Sequence, residues 1–235
     1  MTVRAQSASR RISRRSGNGV VLAFTLGSSV AVLIATLILV LRWPASVAPD
    51  APSLPISVGG LVFNVPPAAI RIPLQRHAGP QGRLDLVFLW PALVPPDPAA
   101  KPSAAEEVPA IDRLFVTITV PDDGLGPAER IRTIYPRYFD FGRFAGPDGL
   151  LVIRFRDGTP YQSEDLFYDP TAPDRFVVRC SRPGAGPTPG TCLFERRLAD
   201  AADIVVRFPR DWLADWRQLS AGIEKLITGL RPSSS

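Results

Sequence analysis

The strongest pattern along the chain is an apolar run at residues 20–41, VVLAFTLGSSVAVLIATLILVL, which holds no charged side chain. As a helix rising about 1.5 Å per residue, it would reach roughly 33 Å, enough to cross the hydrocarbon core of a bilayer. Arg4, Arg10, Arg11, Arg14 and Arg15 precede it with no acidic residue among them, and after Arg42 no basic residue occurs until Arg71. This asymmetry predicts a single transmembrane helix over residues 20–42, with a basic cytoplasmic tail (1–19) and an exported remainder. A cleaved secretory signal is the rival reading. Signal cores are usually shorter, about 7–15 residues, and the best small-residue site, Ser46-Val47-Ala48, runs directly into Pro49. The arginine pairs Arg10-Arg11 and Arg14-Arg15 suggest a folded-export route, but Ile12-Ser13 is a poor match to the apolar pair such a signal carries. Within the run, Ala23, Gly27, Ala31 and Ala35 recur every four residues on one helix face. Small residues let helices approach closely in lipid, so this stripe is a candidate for pairing with a second copy or another subunit's helix, beside the chance reading that Ala and Gly are common in such segments.

Beyond the anchor the pattern changes. Prolines at 44, 49, 52 and 55 mark residues 43–55 as an extended stalk. Leu54–Val58 and Leu61–Val65 flank Gly59-Gly60, which reads as a tight hairpin. Alternation at Leu84, Leu86, Phe88 and Trp90, then at Leu114, Val116, Ile118 and Val120, predicts two strands separated by a Pro- and Ala-rich loop over 91–110. Pro127 opens a helix with Ile131, Ile134 and Tyr135 on one face, and Pro136 ends or kinks it. Further strands follow at Leu151–Phe155, Leu166–Tyr168, Phe176–Arg179, Leu193–Arg196 and Ile204–Phe208. Trp212, Trp216, Leu219, Ile223, Leu226 and Leu230 form one helical stripe, with Asp211 as its cap and Gly229 and Pro232 at its end. Most connections between strands are too short for parallel crossovers. The expectation is an α+β fold: a mostly antiparallel sheet with a long C-terminal amphipathic helix packed on it, one domain over residues 56–230, and a short tail at 231–235.

Charge narrows the partners. Six of the 27 basic residues lie in or beside the anchor and all 22 acids lie from Asp50 onward, leaving the exported part with 21 basic and 22 acidic side chains. A nearly neutral domain lacks the electrostatic footprint of nucleic-acid binding. The basic tail suits anionic lipid on the cytoplasmic face instead. Arginine outnumbers lysine 25 to 2 and no Asn-x-Ser/Thr acceptor occurs, which fits a bacterial rather than a glycosylated eukaryotic protein. The location expected is therefore the bacterial inner membrane, with the C-terminal domain periplasmic. Cys180 and Cys192 flank the turn-rich RPGAGPTPG, so a disulfide across a hairpin neck is expected.

Catalytic chemistry is poorly represented. His77 is the single histidine, eight residues before Asp85, and no Gly-x-Ser-x-Gly elbow accompanies it. Glu164, Asp165, Asp169 and Asp174 cluster, and Glu164 with Asp165 could serve as a hydrolytic carboxylate pair, but Pro170 and Pro173 suggest a solvated turn. Neither a cofactor nor a metal is expected, since no phosphate-binding glycine motif and no zinc or calcium spacing occurs. The segment YPRYFDFGRF is dense in rings and guanidinium groups, and Tyr135, Arg137, Tyr138, Phe139, Phe141, Arg143 and Phe144 form the candidate recognition patch, beside the reading that these rings fill the core. The function expected is a membrane-anchored, non-catalytic binding or accessory module with a protein partner in the cell envelope. A hydrolase using the carboxylate pair and a subunit of a larger membrane complex are the alternatives. A reporter fused after Ser235 is expected to be active on the periplasmic side, and cytoplasmic activity of that fusion would reverse the topology.

Overall fold

The structure, a computed structural model, describes residues 32–38, 47–97, 111–184 and 190–232. The chain divides into two units, Met1–Pro44 and Ala45–Ser235. In the first, residues 32–38 are helical and exposed, and Ala35 falls among them, whereas Ala23, Gly27 and Ala31 lie outside the described residues. No described helix is long and apolar enough to cross a membrane.

The second unit begins earlier than the proline pattern suggests. The Val47 amide donates to the Arg76 carbonyl at 2.6 Å, and Leu54 already opens the first strand, so part of the expected stalk is folded against the domain. Proline spacing reports stiffness but is blind to such a backbone partner. The first hairpin pairs β1 (Leu54–Val58) with β2 (Leu61–Val65), Val58 opposite Leu61. Gly59 and Gly60 turn it with φ of 59° and 84°, the left-handed pair that a two-residue loop of this twist demands. The short β3 (Gly79–Pro80) adds in parallel to β1, closing a three-stranded sheet.

The main sheet has eight strands, all neighbours antiparallel: β4 (Arg83–Leu89), β5 (Arg113–Thr119), β6 (Phe139–Ala145), β7 (Leu151–Phe155), β8 (Glu164–Tyr168), β9 (Val177–Ser181), β10 (Thr191–Leu198) and β11 (Ala202–Pro209). Their order is β4-β5-β11-β10-β9-β8-β7-β6, a six-strand meander from β6 to β11 with the earlier hairpin β4-β5 added beside β11. Cys180 and Cys192 face each other across β9 and β10 and form the expected disulfide.

Alternation decides what each face covers. Leu84, Leu86, Leu114, Val116, Ile118, Ile204, Val206 and Phe208 are buried, and they join Ile56, Val58, Phe63 and Val65 of the small sheet in one core. The C-terminal helix (Trp216–Leu230) supplies Trp216, Leu219, Ile223, Leu226, Ile227 and Leu230 to that core. Its start differs from expectation: residues 210–215 form a tighter 3-10 stretch, and Asp211 lies inside it rather than capping the α-helix. Pro209 pre-sets extended backbone just ahead, and the 3-10 turn brings Leu213 and Trp212 inward before the α-helix begins.

Opposite, the segment from Pro127 changes winding twice: α over Pro127–Glu129, π over Arg130–Ile134 and 3-10 over Tyr135–Tyr138. Pro136 has no amide to continue an α ladder, which accounts for a change of winding at this point. Ile131, Ile134 and Tyr135 pack with Phe155 and Leu166 into a second, smaller core on the far face of β7 and β8. Of the proline-rich loop, residues 98–110 lie outside the described residues.

Gly59 and Gly60 separate conformational strain from steric demand. A Cβ on Gly59 would sit 1.7 Å from the Ala201 carbonyl oxygen, while one on Gly60 meets nothing within 4 Å. Gly60→Ala is expected to cost about 1–2 kcal/mol, the left-handed penalty alone, and Gly59→Ala clearly more. Urea unfolding of both variants measures the difference, and equal midpoints would remove the contact with Ala201 from the account.

Candidate functional site: the β6 edge and its cleft

The candidate patch divides into buried and exposed halves. Tyr135 is 3% exposed, its ring edge-on to Phe155 at 5.6 Å and to Tyr161 at 5.1 Å. Burial pushes its phenol pKa above the ordinary value, partly offset by nearby Arg179. Tyr138 and Phe139 are half-buried against the same cluster. These three rings are therefore core, as the alternative reading of the segment has it. Arg137, Phe141, Arg143 and Phe144 are exposed, and Phe141 is 98% so.

Arg137 lies in the 3-10 stretch, and the other three lie on strand β6, which the sequence reading did not identify. It pairs with β7 alone and forms one edge of the main sheet. Its register breaks between Phe139 and Arg143, and the bulge turns Phe141 out of the pleat. Such a bulge also spoils the outer edge as a template for a further strand. Recognition here would therefore run through side chains rather than through strand addition. Phe144 is held on two sides: the Arg154 guanidinium stands 4.5 Å over its ring, and a Cβ on Gly142 would come within 2.7 Å of that ring. The missing side chain at Gly142 is what lets the ring lie down.

Phe144 also lines a cleft of about 460 Å³ with Gly146, Arg154, Asp165, Arg210 and Ala214. Asp165 is 4% exposed and sits between two guanidinium groups: Arg182 Nε and Arg210 Nη2 each donate to it at 2.9 Å. Each arginine is anchored in turn, Arg182 to the Phe155 carbonyl and Arg210 to the Ser181 carbonyl, and Arg210 covers the Phe167 ring. The result is a polar floor fixed by hydrogen bonds, beside aromatic and cationic side chains on β6.

The acidic residues expected in a solvated turn are partly in a strand. Glu164 and Asp165 are consecutive in β8, so they point to opposite faces of the sheet. Glu164 lies near Arg179, with Arg179 Nη1 3.0 Å from Oε2 but poorly aligned for a hydrogen bond; burial raises its pKa, against the pull of Arg179. Arg179 also approaches Glu195, which pairs with Arg130. Two carboxylates on opposite faces cannot flank one scissile bond, so this geometry removes the pair as a hydrolytic site. Asp169 instead accepts from Thr171 in an exposed turn. Asp85, held by Arg83, Gln75 and Thr117 and pushed down to about 2 mainly by Arg83, does not contact His77, whose ring meets the Ala78 carbonyl. Among the described residues no three His, Cys, Asp or Glu side chains gather as metal ligands.

No protein-family model matches the chain, and no curated protein matches it. A solved structure does share its fold: Smlt3025, an immunity protein of the Stenotrophomonas maltophilia type IV secretion system. The alignment covers 78% of this chain and 94% of that one, at 15% identity and a TM-score of 0.53. At that identity the likeness is one of fold.

The buried Asp165 gives the site a structural test. Removing one member of a buried ion cluster leaves the others unpaired, so Asp165→Asn is expected to destabilise the domain by about 3 kcal/mol. Chemical denaturation measures it, and an unchanged midpoint would show that Arg182 and Arg210 are already well solvated.

Proposed function

We propose that the chain is a membrane-anchored, non-catalytic binding protein of the bacterial cell envelope, its domain periplasmic, and that it holds a protein partner through the β6 edge. The observation that carries this reading is Phe141, 98% exposed on a bulged edge strand with Arg143 and Phe144 beside it. A fully exposed large ring adds nothing to the core, and rings with guanidinium groups are the residue types that dominate binding energy at protein interfaces. The cleft beside Phe144 offers a pocket of fixed shape for one anchoring side chain from the partner. The charge pattern of residues 1–42 supports the tether and the orientation, and the disulfide suits an oxidising compartment.

The fold shared with a secretion-system immunity protein favours a protein as the partner over a sugar or nucleotide. An immunity-type role is the specific form we infer: the chain binds a secreted protein and keeps it inactive. A photo-crosslinking amino acid at position 141 in the intact, membrane-borne chain is expected to capture one envelope or secreted protein, and the same group at the exposed Arg132 is expected to capture none. Phe141→Asp should abolish co-purification of the captured protein while leaving thermal stability unchanged. Equal capture from both positions would sink the reading.

A further inference from the structure

A second concavity, sharing no residue with the β6 cleft, runs along the C-terminal helix. Its volume is about 640 Å³, within the range of roughly 300–1,000 Å³ for small-molecule sites. Phe88, Trp90, Leu93, Val94, Leu226 and Leu230 make it apolar, and Val94 stands 49% exposed in it. Lining residues on the helix extend from Gln218 to Leu230, about 18 Å of rise, the length of an extended long-chain acyl tail.

Two glycines shape the helix side, for different reasons. A Cβ on Gly222 would come within 3.1 Å of both Trp90 and Leu93, so its absence allows the turn after β4 to pack on the helix. A Cβ on Gly229 would meet nothing within 4 Å, and Gly229 is not among the left-handed residues. It lies inside the helix, one residue before its end, where the sequence pattern also places it. Glycine weakens a helix, and neither packing nor backbone conformation requires it here. Its effect is to leave the cleft open. No acidic side chain lines the cleft, and the one charged group that does, Lys225, forms no ion pair among the described residues. Its flexible stem allows the ammonium to reach the rim, where Ser53, Asn64 and Gln218 add polar contacts.

We propose that this cleft binds a single long acyl chain with an anionic head group, the tail lying along the helix face from Gln218 to Leu230 and the head held at the rim by the Lys225 ammonium. The apolar lining selects the tail, and the lone cation on an otherwise uncharged lining selects the head. A free fatty acid and an anionic lysophospholipid share this chemistry.

Membranes carrying the full-length chain, treated with diazirine-bearing probes and mapped by peptide mass spectrometry, test it. Diazirine myristate or a lysophosphatidylglycerol analogue is expected to label peptides from residues 90–95 and 216–230. The stronger of the two names the source. Gly229→Trp, which fills open space, should reduce labelling of these peptides at least tenfold, whereas Thr228→Trp, on the exposed neighbour outside the cleft, should not. Lys225→Glu should cut labelling by the anionic probes several-fold and leave that by an uncharged diazirine alkane unchanged, which separates the head from the tail should the tryptophan variant fail to fold. Labelling of Gly229→Trp equal to the unsubstituted chain, or labelling by the alkane as strong as by the acid, would overturn the proposal.

Discussion

The C-terminal helix can bury its stripe only because two sheets present apolar faces to it at once. Trp216, Leu219, Ile223, Leu226 and Leu230 meet the inner face of the eight-stranded sheet together with Ile56, Phe63 and Val65 of the small one. Each such fully buried side chain contributes roughly 1.5–3 kcal/mol relative to exposure, so this seam dominates the fold. Without the helix, the inner faces of both sheets would be open to water. The helix also has little else to hold it, since its first residue follows a 3-10 turn, no side-chain cap forms at Asp215, and two glycines weaken its interior. Packing, not local propensity, makes it a helix.

Because the seam claims one face of the central strands, the clefts open at the margins of the sheet. The β6–β7 end carries the cleft floored by Asp165, with Phe144 and Arg154 at its wall. The opposite face of that end is closed by the segment from Pro127 to Tyr138, which takes Tyr135 inward. One stretch of sequence therefore serves two purposes: its first rings are core, and its later ones are surface. The break falls at the β6 bulge, where the alternation of the strand is interrupted.

Charged residues in the sheet are arranged as structural clamps. Asp85 with Arg83, Gln75 and Thr117 fastens the edge strand β4 to the preceding loop and to β5. Asp165 with Arg182 and Arg210 ties β8 to the start of the helical region after β11. Arg197 with Asp203 closes the hairpin of β10 and β11. Groups that read in sequence as possible acid catalysts, Glu164 and Asp165, are thus committed to arginine neighbours.

Several elements were legible because their signals are local. The Gly59-Gly60 hairpin follows from the left-handed backbone that only glycine adopts freely, the Cys180–Cys192 bridge from a turn-rich spacer between two strands, and the helix stripe from period alone. The sheet strand at 113–119 follows from alternation imposed by one dry face, and those at 83–89 and 151–155 from apolar runs that are buried on both faces. The sequence could not reveal β6, because an edge strand with no buried face shows no alternation. Nor could it assign the rings of residues 135–144 to core or surface, since an aromatic pays for either environment with the same composition. It misread Glu164 and Asp165 as a turn because their arginine partners lie 15 to 45 residues away. Local backbone preference and one-sided burial were therefore written in the chain itself. Which face each ring took, which charges met, and where the clefts opened depended on strands distant in sequence coming together, and only the tertiary structure decided them.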